Sequence, residues 1–309
     1  MTKKVICDVL FVLAAIICGF IVIASVVLAI YVPKYIFDRN KVEPSAEVTE
    51  EITVMSSNVR FYNPFDFFKK SWFYRASLFV EDLNNVKPDV VGFQEVTYLH
   101  YNRLTKRMPD YESVMAYRDD FFLSEGCPIF YRTDKFEKVD SGSFWLSETP
   151  EVMSKDWDSE HYRICVYVIL KDVSSGKQFI VFNTHLDNTS DDARVNGIKV
   201  VLNKIDEIKA TPEYANSPCF LMGDLNAEPG SVTVNSALEH FDDTARLAGV
   251  TEDAPTFHGW GDESREKRLD YILASKGDVE VSEYKVYDNL HDKVYSSDHY
   301  PIYIKVKFK

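Results

Sequence analysis

Cysteine is scarce and unpatterned in this chain: five residues, with no CxxC spacing. That excludes a disulfide framework and a zinc ribbon. Cys7 and Cys18 fall in or beside an apolar run, and Cys127, Cys165 and Cys219 read as buried core residues. No G-x-S-x-G elbow occurs, which removes the serine hydrolases built on that turn. There is no internal repeat, no low-complexity block, and no linker that would divide the chain after residue 51. Positive charge is short as well, with 35 Lys and Arg against 48 Asp and Glu, a formal net charge of −13. This balance argues against a binder of long duplex DNA, whose affinity comes largely from cations on phosphates. An acidic protein that handles phosphates must supply positive field locally, through clustered basic side chains or a bound metal.

Apolar residues make up 46% of the chain and aromatics 14%, enough for a packed core. Part of that content sits in one uncharged run of 24 residues, Val9 to Val32. As a helix it extends about 36 Å, long enough to cross a bilayer with some tilt. It is too long for the apolar part of a cleaved signal, and no small-residue cleavage site follows it. Cys18 lacks the small residues that precede a lipidated cysteine. The sequence therefore predicts a tail (1–8), a transmembrane helix (9–33), a short polar linker (34–51) containing Pro44, and one domain (52–309). Lys3 and Lys4 before the span nearly balance Lys34, Arg39 and Lys41 after it. The short tail places the domain on the extracytoplasmic side of a single-pass membrane protein.

Runs of β-branched and aromatic residues predict strands at Thr53–Ser57, Val90–Phe93, Ile129–Tyr131, Cys165–Leu170, Phe179–Thr184, Cys219–Met222, Tyr271–Leu273 and Ile302–Phe308. Helical spacing marks Trp72–Asn85 and Ala193–Lys209. Strands and helices alternate in places, but several strands follow one another directly. The pattern fits a four-layer α/β sandwich of two mixed sheets flanked by helices better than a doubly wound parallel sheet.

Polar residues cap these strands repeatedly. Asn58 ends one, Glu95 follows another, and His185 with Asp187 follows a third. Asp224 and Asn226 follow CFLMG, Asp270 opens DYILAS, and Asp298-His299 precede the last strand. Strand ends can converge on one rim, where sites collect. Residues two apart on an extended backbone point to the same side, so His185/Asp187 and Asp224/Asn226 could each present two groups to one ligand. Taken singly, each is more often a turn residue than a functional one.

The ordered set SSNVR, GFQEV, NTHLDN, GDLNAEPG, LDYI and SSDHYP resembles the endonuclease/exonuclease/phosphatase superfamily, from about residue 52 to the C-terminus. GDLN and SDH are its most specific pieces. A further stretch, SGSFWLSETPE with Trp157 and Arg163, resembles a mostly bacterial branch near the nocturnin-like enzymes. The resemblance implies a metal-dependent phosphoesterase of nuclease or phosphodiesterase type, with Glu95 as the principal Mg2+ ligand, Asn58 beside it, and Asp298 in the same cluster. It implies Asp224 as the group that aligns or deprotonates the attacking water, and Asn226 as a contact to the scissile phosphate. His299 matches the catalytic histidine, Asp270 its orienting carboxylate, and His185 the second histidine of some branches.

The chemistry is consistent with that allocation. A phosphodiester anion repels its nucleophile, so hydrolysis needs charge neutralisation, an activated in-line water and help for the leaving group. Mg2+, with Mn2+ as a substitute, favours carboxylates and phosphate oxygens. A nucleic acid or nucleotide is the expected substrate, a lipid head group (sphingomyelin or a phosphoinositide) the alternative, with other sugar or inositol phosphates behind them, and a catalytically silent binding module of the same fold is a second alternative. The membrane is the other expected partner, and no protein partner is evident. Arg163 reads as a phosphate contact or a salt bridge, residues 61–68 (FYNPFDFF) as buried loop packing ahead of a contact to a lipid or a base, and FWLSETP as core plus a site-facing loop without a catalytic atom. Arg103, Lys106 and Arg107 read as a solvated helix face.

Overall fold

The computed structural model describes residues 3–46 and 50–309; Met1, Thr2 and residues 47–49, which belong to the expected tail and linker, lie outside the described residues. The chain opens with α1 (Lys3–Val26), a π-type turn (Val27–Tyr31) and α2 (Val32–Phe37). Pro33 offers no N–H to the helical ladder, which accounts for a widened turn just before it. The domain then runs β1 (Ile52–Asn58), α3 (Trp72–Val86), β2 (Val90–Gln94), α4 (Tyr98–Arg107), β3 (Tyr111–Val114), β4 (Ile129–Arg132), β5 (Phe136–Trp145), β6 (Ile164–Asp172) and β7 (Gln178–His185). It continues with α5 (Asp191–Lys209), β8 (Cys219–Asp224), α6 (Val232–His240), β9 (Phe241–Asp243), α7 (Thr244–Leu247), β10 (Asp270–Ser275), β11 (Val279–Val286), a short hairpin β12 (Leu290–His291) and β13 (Val294–Tyr295), and β14 (Ile302–Phe308).

Two six-stranded mixed sheets result, in the orders β11-β14-β1-β2-β4-β3 and β5-β6-β7-β8-β10-β9. Each contains one parallel pair, β1 with β2 and β7 with β8, crossed over by α3 and α5. The alternating apolar residues of both sheets meet face to face: Val54, Val90 and Ile304 pack with Val166, Val181, Phe220 and Met222. Outside them, α3 covers the first sheet through Trp72, Phe79 and Leu83, and α5 covers the second through Ile198, Val201 and Ile205. This is the four-layer sandwich expected from the sequence.

The topology places the site. Parallel pairs bring the C-terminal ends of β1, β2, β7 and β8 to one rim, and antiparallel β10 starts at that rim, with Asp270 opposite Asp224. Beneath it two buried amides join the sheets. Gln94 Nε2 donates to Asn183 Oδ1 at 2.7 Å, and Asn183 Nδ2 donates to the carbonyls of Phe93 and Pro128 at 2.9 and 3.0 Å. Each such bond is worth about 1 kcal/mol net, and losing one partner would strand the other.

Three expectations need correction. Arg103 and Arg107 are buried, because the chain after the apolar helix lies across them. Arg103 Nη1 donates to the Tyr35 carbonyl at 2.8 Å and its Nη2 pairs with Asp38, while Arg107 donates to the Asp38 carbonyl. Residues 34–37 of the expected linker are helical, and residues 42 and 43 are seated on the domain: Val42 is buried, and Glu43 N donates to Asn84 Oδ1 at 2.7 Å. In the 61–68 loop Phe65 and Phe68 are exposed, so it is not a buried packing loop. The domain cysteines are buried and unpaired, as expected.

Gly223 fixes the strand that presents Asp224. Its φ is +139°, and a Cβ there would lie 1.9 Å from the Thr184 carbonyl oxygen. Gly223→Ala should destabilise the domain by more than about 2 kcal/mol. Denaturant unfolding with an unchanged midpoint would contradict this account.

Candidate active site

The rim gathers a buried set of acids around one amide. Asn58 Nδ2 donates to Glu95 Oε1 at 3.0 Å and to Asp224 Oδ2 at 3.1 Å, one carboxylate from each sheet. Its Oδ1 accepts the Arg60 N–H at 2.9 Å, and Glu95 Oε2 accepts the Phe61 N–H at 2.6 Å. Glu95 and Arg60 both hold positive φ, +62° and +60°, a conformation neither residue adopts freely. Strain of this kind collects at functional positions. Asp298 is buried beside them, 3.7 Å from Arg60 Nη1, and its Oδ1 makes no hydrogen bond.

The two histidines differ in charge. His299 Nδ1 lies 2.9 Å from Asp270 Oδ2, and its Nε2 lies 3.7 Å from Asp224 Oδ2. Burial works against its charged form, but Asp270, Asp224 and Asp298 outweigh it and push its pKa up to about 10. His299 is thus an imidazolium at neutral pH. His185 Nε2 sits 3.5 Å from Asp224 Oδ2, yet burial, with Arg163 and Arg118 adding to it, depresses its pKa well below the usual value. His185 is neutral. Asp224, buried and crowded by Asp270, is raised to about 7 despite the opposing pull of His299.

Among the described residues two trios place ligand-type atoms close enough to share an ion: Glu95, His185 and Asp224, and Asp224, Asp270 and His299. Asp298 belongs to neither, and Asn58 turns donors rather than an oxygen toward the carboxylates. The donor set nevertheless fits a hard divalent cation: crowded buried carboxylates, with unbonded oxygens on Asp298 and Asp270.

Asn226 holds a left-handed φ of +47°; its Nδ2 donates to the Leu186 carbonyl at 3.0 Å and its backbone N–H to Asp224 Oδ1 at 2.9 Å. Arg163 is buried at the cavity wall. It pairs with Asp187 through Nε at 3.5 Å and donates from Nη2 to Asn188 Oδ1 at 2.7 Å, while its Nη1 makes no hydrogen bond. Asp187 parts from His185: it does not line the cavity, and it accepts from Thr189 N, Ser190 N and Ser159 Oγ. Backbone donors and Arg163 hold its pKa down at about 2 against burial. Asp187 organises a loop, because β7 ends at His185 and the two-residue alternation ends with it.

The cavity is about 300 Å³. Sequence reasoning missed Arg60, Phe61, Arg118, Glu125, His161 and Arg265 on its walls. Arg60 stood inside the SSNVR motif and was legible; Arg118, Glu125 and His161 come from irregular loops that carry no periodic signal. Arg118 pairs with Glu125 at 2.9 Å.

Behind the site, buried Asp82 meets His291 Nε2 at 2.6 Å and also accepts from Ser296 Oγ, fixing the loop that carries Asp298 and His299.

The model of the Endonuclease/Exonuclease/phosphatase family matches residues 55–299. A family member of known structure from Bacteroides vulgatus is 27% identical, covering 84% of this chain and 99% of its own, with a TM-score of 0.77. A mannosyl-6-phosphatase from Bacteroides thetaiotaomicron is 29% identical over 83% of this chain and 100% of its own, with a TM-score of 0.72. The exoribonuclease subunit Ccr4 of the Aspergillus niger CCR4-Not complex is 25% identical over 60% of this chain; the match spans 36% of that subunit's length.

The Asp82–His291 pair gives a pH test. The hydrogen bond to Asp82 raises His291, and burial raises Asp82, so the folded pair binds a shared proton more tightly than the unfolded chain does. A folded pKa above the unfolded value gives stability that is complete below about pH 6.5 and fades as pH rises through the folded value. The stability lost in His291→Gln should be largest near pH 5.5 and shrink toward pH 8.5, as read by thermal unfolding. A gap that grows with pH would reverse the assignment.

Proposed function

The chain belongs to the endonuclease/exonuclease/phosphatase family, hydrolases of nuclease and phosphatase type, and from that premise we propose that it is a membrane-anchored, divalent-metal-dependent phosphoesterase. The observation that carries the reading is geometric: Asn58 joins Glu95 and Asp224 across the two sheets, and His299, held through Nδ1 by Asp270 at 2.9 Å, lies 3.7 Å from Asp224. A histidine oriented by one carboxylate beside a second is an arrangement suited to acid and base roles.

Asp224 accepts a proton from the attacking water. His299, fixed through Nδ1, directs its Nε2–H at phosphoryl oxygens as negative charge develops. Asn226, with one amide hydrogen engaged by the Leu186 carbonyl, keeps its other hydrogen for a phosphate oxygen. Arg163 offers its unbonded Nη1 to the same anion. Glu95 and Asp298, with Asn58 spacing Glu95 from Asp224, are the residues that would hold the metal. Mg2+ or Mn2+ bound there supplies Lewis-acid polarisation of the phosphoryl oxygen and neutralises developing charge.

The cavity's size supports a single phosphoryl group with a modest substituent, a nucleotide or the terminal nucleotide of a single strand. Similarity to Ccr4 supports the same class. A sugar phosphate is the second reading, favoured by the likeness to the mannosyl-6-phosphatase along 83% of the chain. The apolar N-terminal helix, long enough to cross a bilayer, supports the anchor.

Full-length protein in nanodiscs should hydrolyse one member of a panel of mononucleotides, short single-stranded RNA and hexose 6-phosphates in Mg2+. Turnover should stop in EDTA and return with added metal. Asp224→Asn and His299→Gln should each lower kcat by about 10²- to 10⁴-fold with the fold intact by circular dichroism. Undiminished turnover in EDTA removes the metal from the mechanism, and a wild-type rate in either variant removes that residue's role.

A further inference from the structure

The apolar helix is longer than a membrane requires, and its two halves differ. Residues 4–22 are exposed on every side; from Ile23 onward one side is half-buried, at Ile23, Val26, Tyr31, Val32 and Tyr35. Nineteen helical residues extend about 28 Å, the thickness of a bilayer's hydrocarbon core. Lys4 and Asp8 stand in their first two turns, at the end away from the domain, and the later part of the span expected at 9–33 is taken up by the domain instead. The remainder lies on the domain. Tyr31 meets Tyr74 and Tyr35 meets Phe73 edge to face, each at 5.3 Å, and the Tyr35 hydroxyl reaches the Leu99 carbonyl at 3.4 Å.

The exposed stretch ends beside a loop. Phe20 lies 6.4 Å from Phe67, and around Phe67 the loop presents Phe65 at 66% exposure and Phe68 at 51%, followed by exposed Lys69 and Lys70. A second apolar tip belongs to another loop that borders the catalytic cavity. Exposed Tyr98, next to the Leu99 carbonyl that receives Tyr35, shares a surface groove with Phe121 and Phe122. Those two rings pack at 4.6 Å and are 61% and 76% exposed. Asp119 at this tip is engaged by Phe121 N and Arg118, while Asp120 is exposed. Clustered exposed aromatics on a soluble surface mark an interaction site. Aromatic rings flanked by lysines suit the zone where acyl chains meet anionic head groups.

Both loops are also walls of the catalytic cavity, one through Arg60 and Phe61, the other through Arg118 and Glu125. We infer that the Phe65/Phe68 loop and the Phe121/Phe122 tip form a docking surface for the bilayer crossed by residues 4–22, so that the catalytic cavity opens at the head-group layer. The inference rests on the membrane anchor proposed above and on continuity between the exposed part of the helix and the loop beside Phe20. It makes the domain a body seated on the membrane rather than one held away by a flexible tether.

Photo-cross-linking tests it without depending on turnover. Full-length protein in nanodiscs of phosphatidylcholine and phosphatidylglycerol would carry p-benzoylphenylalanine in place of Phe68, Phe122, Phe11 or Val173. Val173 is exposed at the β6–β7 turn, at the opposite end of the second sheet from the site. Lipid adducts by mass spectrometry should form at positions 68 and 122 at least tenfold above position 173. Adducts at position 11 with only the position-173 yield at 68 and 122 would overturn docking and leave the anchor standing. Adducts from 68 or 122 to a second copy of the chain in place of lipid would overturn it as well. Absence of lipid adducts at position 11 would remove the anchor and the inference together.

Discussion

Asn58 donates one amide group to two carboxylates that arrive on different sheets, and the site depends on that bridge. Glu95 follows β2 and Asp224 ends β8; without a donor between them, two buried anions would face each other in a medium of low dielectric. Positive charge close by completes the compensation. Arg60 faces Asp298, and His299 faces both Asp224 and Asp270. Arg75, fully buried behind the site, donates to the carbonyls of Lys70, Val59 and Ser296, tying together the loops that carry Arg60 and Asp298. Burial still raises the pKa of Asp224 and Asp298, whereas Glu95, facing Arg60 and His299, is lowered against burial.

The distinction between the two histidines follows from strand direction. β7 runs parallel to β8, so His185 ends its strand level with Asp224 and looks back at Arg163 and Arg118. β10 runs antiparallel and starts with Asp270 across from Asp224, which hands His299 a second carboxylate on its far nitrogen. Two imidazoles beside one aspartate thereby differ: burial, with Arg163 and Arg118 adding to it, disfavours charge on His185, while Asp270 favours it on His299.

Much of this was legible before the structure. Every strand expected from β-branched and aromatic runs is present, and the polar residues closing those strands are the ones that line the rim. The parts that were not legible share a cause: their environment is set by distant chain. β5 and β11, unmarked in the sequence, carry charged residues along faces that look outward, and so lack the continuous apolar runs of β7 and β8. Arg103 and Arg107 carried the pattern of a solvated helix face, and only residues 35–38, some 65 positions earlier, cover them. Arg118, Glu125 and His161 reach the cavity from irregular loops, whose course no period predicts. Asp187 shares the motif of His185 but lies past the end of the strand, where spacing by two no longer sets direction.

The acidic net charge raises a last question of sign, because a surface at −13 repels the anions this site is built to hold. The answer is local. Arg60, Arg118, Arg163, Arg265 and the charged His299 line a cavity of about 300 Å³ together with Glu95, Glu125, Asp224 and Asp298, so the site is locally far less acidic than the chain. At protein ionic strengths the field of outlying carboxylates fades beyond about 8–10 Å, so a phosphate at the mouth responds mainly to this ring. Arg163 shows the arrangement's logic: it is buried with Asp187 held ionised against it, and still keeps one nitrogen unbonded toward the cavity wall. A guanidinium already desolvated and fixed gives up little on meeting an anion, whereas a surface lysine must first shed water and lose rotamer freedom. Clustered, preorganised arginines therefore give an acidic protein positive field at one place while the rest of its surface stays negative.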